Sequence, residues 1–150
     1  VLLRKIISGG QTGVDRAALD VALETGIPAG GYCPKGRRAE DGPIDLKYPL
    51  EELNSSSYIE RTRENVATAD GTLVLCCGKP SGGTALTIRF TEELDKPSIC
   101  VDPEDQNALE LVRSWIEENQ IQTLNVAGPR ASKDPNIYRL SYNLLGELLN

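Results

Sequence analysis

Between Asp70 and Gly78 the chain runs Gly71-Thr72-Leu73-Val74-Leu75-Cys76-Cys77, without a charge. A strand of that continuous apolar character is buried on both faces, which requires helices above and below its sheet. Shorter apolar runs at residues 5–8, 98–101 and 123–127, and a glycine-rich run at 27–33, read as further strands. Helical spacing fills the intervals. Val14, Ala17, Ala18, Val21 and Ala22 form a stripe within residues 14–25 that Gly26 closes. Residues 58–69, with Ser55, Ser56 or Ser57 as N-cap, residues 84–94, residues 107–119 and residues 137–149 follow the same period. Residues 35–52 are too polar and too rich in Pro and Gly for either pattern, and read as a long ordered loop.

Strands that alternate with helices form a mostly parallel sheet, because right-handed crossovers place the helices on its faces. The expected architecture is a Rossmann-like three-layer α/β/α sandwich with a five-stranded sheet, formed by residues 1–150 as one domain. The expected strand order is 2-1-3-4-5, with the first and third strands adjacent at the switch point. Ligands of such sheets bind outside the carboxyl ends of the strands at that point.

Two glycine turns fall there. Ser8-Gly9-Gly10-Gln11-Thr12-Gly13 follows the first strand, and Pro80-Ser81-Gly82-Gly83-Thr84 follows the third. Each opens a helix, so each gathers backbone N–H groups at the positive end of a helix dipole, an arrangement suited to phosphate. Neither is a dinucleotide fingerprint, and neither has the lysine of a P-loop. A purely geometric role for the first turn is the alternative.

Composition restricts the partner. The net charge of −6 argues against non-specific binding to nucleic acid or to a membrane surface. Basic residues instead cluster locally: Lys35, Arg37 and Arg38; Arg61 and Arg63; Arg130 and Lys133. That pattern suits a small anionic ligand. No run is long and apolar enough for a membrane span, and the expected location is the cytoplasm. Four cysteines (33, 76, 77, 100) lack metal-ligand spacing and read as buried, reduced thiols. Without a histidine, a common zinc site and a histidine base are both excluded, and no protein-ligated metal is expected.

The candidate ligand contacts are therefore Gly9, Gly10, Gln11, Thr12 and Gly13 from the first turn, and Ser81, Gly82, Gly83 and Thr84 from the second. Lys35 and Arg37 are expected to close over the anion, and Arg130 and Ser132 follow the last strand to the same edge. Asp15, Asp41, Arg61, Asn65 and Asp70 are candidate polar support. Each acid has a plainer role available: Asp15 beside a helix N-terminus, Asp70 in a turn.

The chain resembles the family known as putative molybdenum carriers. The resemblance lies in Ser8 to Asp20, in Cys33-Pro34-Lys35-Gly36-Arg37 with Glu40-Asp41-Gly42, and in Tyr58 with Arg61-Thr62-Arg63-Glu64-Asn65-Val66. Asp70-Gly71-Thr72-Leu73, Gly82-Gly83-Thr84 with Leu86-Thr87, and Asn125-Val126-Ala127-Gly128-Pro129-Arg130 continue it over nearly the whole chain. That family is described as a circularly permuted, YpsA-like branch of the SLOG superfamily. The resemblance implies binding of molybdenum cofactor (molybdopterin) or a nucleotide, with phosphate at the glycine turns and a molybdoenzyme as client. A homo-oligomer is compatible with it. The related phosphoribohydrolases carry a catalytic glutamate three residues after the threonine of their PGGxGTxxE loop. Here Thr87 occupies that position. A carrier is thus favoured over a nucleotide-processing hydrolase acting through Asp15, Asp41 or Asp70, or a nucleotide-sensing module.

Overall fold

A computed structural model describes residues 3–150. Its elements are β1 (Lys5–Ile7), α1 (Val14–Thr25), β2 (Ala29–Gly30), β3 (Tyr32–Cys33), β4 (Glu51–Glu52), α2 (Tyr58–Thr68), β5 (Gly71–Leu75), α3 (Gly82–Glu93), β6 (Ser98–Val101), α4 (Ala108–Glu118), β7 (Thr123–Ala127) and α5 (Ile137–Leu149). The architecture is the expected α/β one. Helix α5 packs on α1 and α4, whereas α2 packs on α3, so helices cover both faces of the sheet. Every residue of β5 is buried, as its apolar run requires.

The strand order differs from expectation. The five-stranded parallel sheet runs β2-β1-β7-β5-β6, so the last strand lies at its centre, between the first and the third of the long runs. Leu124 pairs with Ile6 on one side and with Gly71 on the other. Counting instead from β7 onward through β1, β2, β5 and β6 turns this order into 3-2-1-4-5, the first five strands of the doubly wound dinucleotide-binding order. The fold is a circular permutation of that arrangement. Its switch point lies between β7 and β5, with the β1 turn one strand further out.

The glycine-rich run 27–33 breaks at Gly31. There φ is +124°, and a Cβ would stand 2.1 Å from the Ser8 carbonyl oxygen. Only a glycine takes that path. Beyond it β3 leaves the main sheet and pairs with β4, a strand inside the stretch expected to be loop. The rest of that loop is folded over a satellite core of Leu19, Cys33, Ala39, Ile44 and Tyr48. The N-cap of α2 is Ser57, whose hydroxyl accepts from the Ile59 amide at 3.1 Å. Of the cysteines, Cys33 and Cys76 are buried and all four are free thiols, but Cys77 is half-buried and Cys100 exposed. Cys100 lies on β6, the sheet's edge, so the expectation of uniform burial fails there. Among the described residues, no helix is long and apolar enough to cross a membrane.

Candidate functional site

At the carboxyl edge of the sheet, beside the switch point, lies a cavity of about 390 Å³, within the range of small-molecule sites. Gly9, Gln11 and Asp15 line it from the β1 turn, Tyr58, Arg61 and Asn65 from α2, and Ser81 to Thr84 from the start of α3. Asn125 to Pro129 form its base where β7 ends, and Arg89, Arg130 and Lys133 add positive charge.

The two glycine turns are not equivalent. In the β1 turn the backbone donors are largely satisfied within the protein. Gln11 N donates to Asp15 Oδ2 at 3.3 Å, Thr12 N to Gln11 Oε1 at 3.1 Å, and Val14 N to the Pro129 carbonyl at 3.3 Å. Gly10 faces Ile44 and Leu50, and a Cβ on Gly13 would lie 2.3 Å from the Pro129 carbonyl oxygen. Both have positive φ, 76° and 82°. These glycines serve close packing between segments, and neither they nor Thr12 line the cavity. The Thr12 hydroxyl donates to Glu40 and accepts from Ala131 N at 3.1 Å. Only Gly9 and Gln11 of the expected contacts in this turn reach the cavity.

The α3 turn is open. Ser81 is the N-cap but makes no side-chain capping bond; Thr84 N donates to the Ser81 carbonyl at 3.1 Å, which leaves the Gly82 and Gly83 N–H groups without a cap. Thr84 is buried, and its hydroxyl has no hydrogen-bond partner among the described residues. A Cβ on Gly83 would meet nothing within 4 Å, and one on Gly82 would stand 2.7 Å from Lys133 Nζ. Thr87, the residue in the glutamate's place, donates its hydroxyl to the Gly83 carbonyl at 3.0 Å.

Arg61 and Asp15 form the opposite wall. Arg61 is buried, donates from Nη1 to the Gly9 carbonyl at 2.8 Å, and its guanidinium sits 5.1 Å from the centre of the Tyr58 ring. The absence of a side chain on Gly9 makes room for it, since a Cβ would be 2.4 Å from Arg61 Cδ. Burial pushes the Asp15 carboxyl up to about 6, against the opposing charge of Arg61 and the Gln11 amide. Asn65 uses both ends of its amide on the Tyr32 backbone, accepting at 2.8 Å and donating at 3.0 Å. It secures the β3 path.

Several expected site residues do other work. Arg37 donates to the carbonyls of Ile44, Asp45, Tyr48 and Leu50, at 2.8–3.3 Å, and staples its own loop. Lys35 is exposed, and neither residue lines the cavity. Their expected closure over an anion is thus not the arrangement observed, because the loop folds onto its satellite core instead. Asp41 pairs with Arg16 at 3.0 Å. Ser132 donates from its backbone N and hydroxyl to Glu40, at 3.2 and 2.6 Å. Those bonds, with the Thr12 hydroxyl, hold the Glu40 carboxyl below the usual range. Asp70 accepts from Gln122 N and Thr123 N at 3.0 and 2.8 Å, where β7 begins. It therefore sits at the amino edge of the sheet, opposite the cavity. Of the cavity's residues, sequence reasoning missed Tyr58, Arg89 and Asn125 as contacts, and noted Lys133 only as part of a basic cluster. Arg89 follows Thr84 by five positions, a spacing that carries no motif.

The fold is a permuted Rossmann-like domain with a cavity beside its switch point that Arg61, Arg89, Arg130 and Lys133 help to line. The model of the circularly permutated YpsA SLOG family matches residues 6–149. A crystal structure of a "putative molybdenum carrier protein" from Syntrophus aciditrophicus SB superposes with a TM-score of 0.97 at 47% sequence identity, over 99% of this chain and 96% of that one. No curated protein matches the sequence at a comparable level. The chain belongs to the circularly permutated YpsA SLOG family.

Proposed function

We propose that this protein binds and carries a small phosphorylated ligand, molybdenum cofactor or a nucleotide-like molecule, with the phosphate at the start of α3. The observation that carries this reading is the uncapped first turn of α3, where Gly82, Gly83 and Thr84 line the same cavity as Arg89, Arg130 and Lys133. Free N–H groups at a helix N-terminus, with cations close by, are what a phosphate needs. The similarity to a protein described as a molybdenum carrier supports molybdopterin as the cargo, and the cavity's size suits a fused ring with a phosphate arm. The uncapped turn fits such a group through its backbone donors.

Asp15 sustains a second reading, a hydrolase, because a buried carboxyl titrating near 6 lies in the range useful for acid–base chemistry. Of the three acids considered from sequence it alone lines the cavity. One experiment separates the two readings. The protein is titrated with molybdopterin and with nucleoside monophosphates, inorganic phosphate is used as competitor, and product is assayed in the same tubes. Saturable binding displaced by phosphate, without released base, is the expected result. Turnover of a nucleoside monophosphate that Asp15→Asn abolishes would establish the hydrolase instead.

A further inference from the structure

We propose that Asp15 and Gln11 recognise the polar edge of a 2-amino-4-oxopyrimidine ring, the ring shared by guanine and the pterins. The proposal rests on the reading above, in which α3 holds the ligand's phosphate, and it names what the far end of the same cavity selects.

Asp15 is only 8% exposed, yet it lines the cavity. Its Oδ2 accepts one long bond from Gln11 N at 3.3 Å, and the Gly9 backbone amide also lies against the carboxylate. A carboxylate has about four lone-pair sites, so Asp15 keeps acceptor capacity for a ligand N–H in the cavity. Gln11, 7% exposed, stands beside it. Its Oε1 accepts from Thr12 N at 3.1 Å and from Glu40 N at 2.9 Å. Both partners are donors, so the oxygen must face them, and the orientation of the amide follows. The NH₂ end then has no protein acceptor among the described residues. This wall therefore presents acceptors from Asp15 next to a donor from Gln11.

The complement is a row of N–H donors next to a carbonyl. A 2-amino-4-oxopyrimidine offers that row as amino group, ring N–H and oxo group. Adenine does not, because its ring nitrogen would turn a lone pair toward the carboxylate. A ribose diol has suitable hydrogen-bonding chemistry but lies at the wrong reach. The β1 turn and the α3 turn follow strands two places apart, separated by β7, which corresponds to about 10 Å. A diol sits about one strand spacing from its 5′-phosphate, whereas the polar edge of the base or pterin sits about two away.

The test is a competition series on the wild-type protein and Asp15→Asn, with GMP, IMP (which lacks the 2-amino group), AMP, guanosine, 6-hydroxymethylpterin and inorganic phosphate. In the wild type, GMP should bind about tenfold tighter than IMP and about a hundredfold tighter than AMP, the scale of one or two charged hydrogen bonds. In Asp15→Asn, which is nearly isosteric, the GMP to IMP ratio should fall to within about threefold. Because the readout is a ratio, a general loss of affinity does not imitate it. Competition by 6-hydroxymethylpterin but not guanosine identifies the pterin as the source of the ring, and the reverse identifies a guanine nucleotide. Equal affinity for GMP, IMP and AMP, with phosphate still competing, overturns this proposal and leaves the phosphate reading standing. Ring discrimination without competition by phosphate does the opposite. Failure of every probe to bind overturns both.

Discussion

Gly83 shows how much depends on one missing side chain. Nothing lies within 4 Å of where its Cβ would be, and its backbone has ordinary negative-φ geometry, so a larger residue enters the cavity without straining the helix. Gly83→Phe should weaken binding of a phosphorylated ligand by at least about a hundredfold, the equivalent of two charged hydrogen bonds lost to steric exclusion. Its melting temperature should stay within a few degrees of wild type. Isothermal titration with GMP or molybdopterin, beside a thermal melt, checks both halves. Asp15 behaves differently because its strain is electrostatic. Its folded-state carboxyl titrates near 6, above the unfolded value of 3.8. The folded state therefore holds the proton more tightly, and this stabilising contribution is complete below 3.8 and disappears as pH rises through 6. The difference corresponds to about 3 kcal/mol. Asp15→Asn should accordingly gain stability over wild type between pH 4 and 7, read as a widening gap between their urea midpoints. A gap that stays constant across that range would show that the carboxyl is not under this strain.

Among the elements, the stretch between β3 and β4 reverses its expected role. Arg37 binds four carbonyls of its own loop and takes the left-handed backbone conformation, with φ 54°. It is a structural staple. Arg37→Ala should destabilise this segment by about 2–3 kcal/mol, since a charged donor and several acceptors lose one another. Hydrogen exchange at residues 36–50 reads that change, with ligand affinity altered by less than threefold. The sequence announced the helices and the β5 core strand clearly, because their periods and continuous burial are local signals. It announced the second glycine turn as well. It could not distinguish that turn from the first, because Gly10 and Gly13 are packed against Ile44, Leu50 and the Pro129 carbonyl, all remote in sequence. Likewise Lys35 and Arg37 carry the right charge for an anion site, but their direction is set by a satellite core that charge patterning does not reveal.

At the scale of the whole molecule, strand order was the part least visible in the chain, since apolar runs do not state their neighbours. The observed order makes a definite prediction. Helix α5 returns to the amino edge of the sheet, where β1 begins, so a short linker there would restore an ordinary right-handed crossover. A variant joined in this way and opened between Asn119 and Gln120, in the turn before β7, should keep the fold and bind GMP within about threefold of the parent, like permutants cut at other exposed turns. Loss of cooperative melting in that variant would mean that the present connection order is itself required.

The central position of β7 also governs how the molecule can be made. A ribosome delivers β1 with β2 and β5 with β6 as two separate half-sheets, and the strand that joins them emerges last. Until then the inner edges of β1 and β5 stand open, with unpaired backbone groups that favour association with other chains. Nascent chains of this protein are thus expected to have a vulnerable interval that opens once β5 and β6 have emerged and ends when residues 123–127 emerge and close the gap.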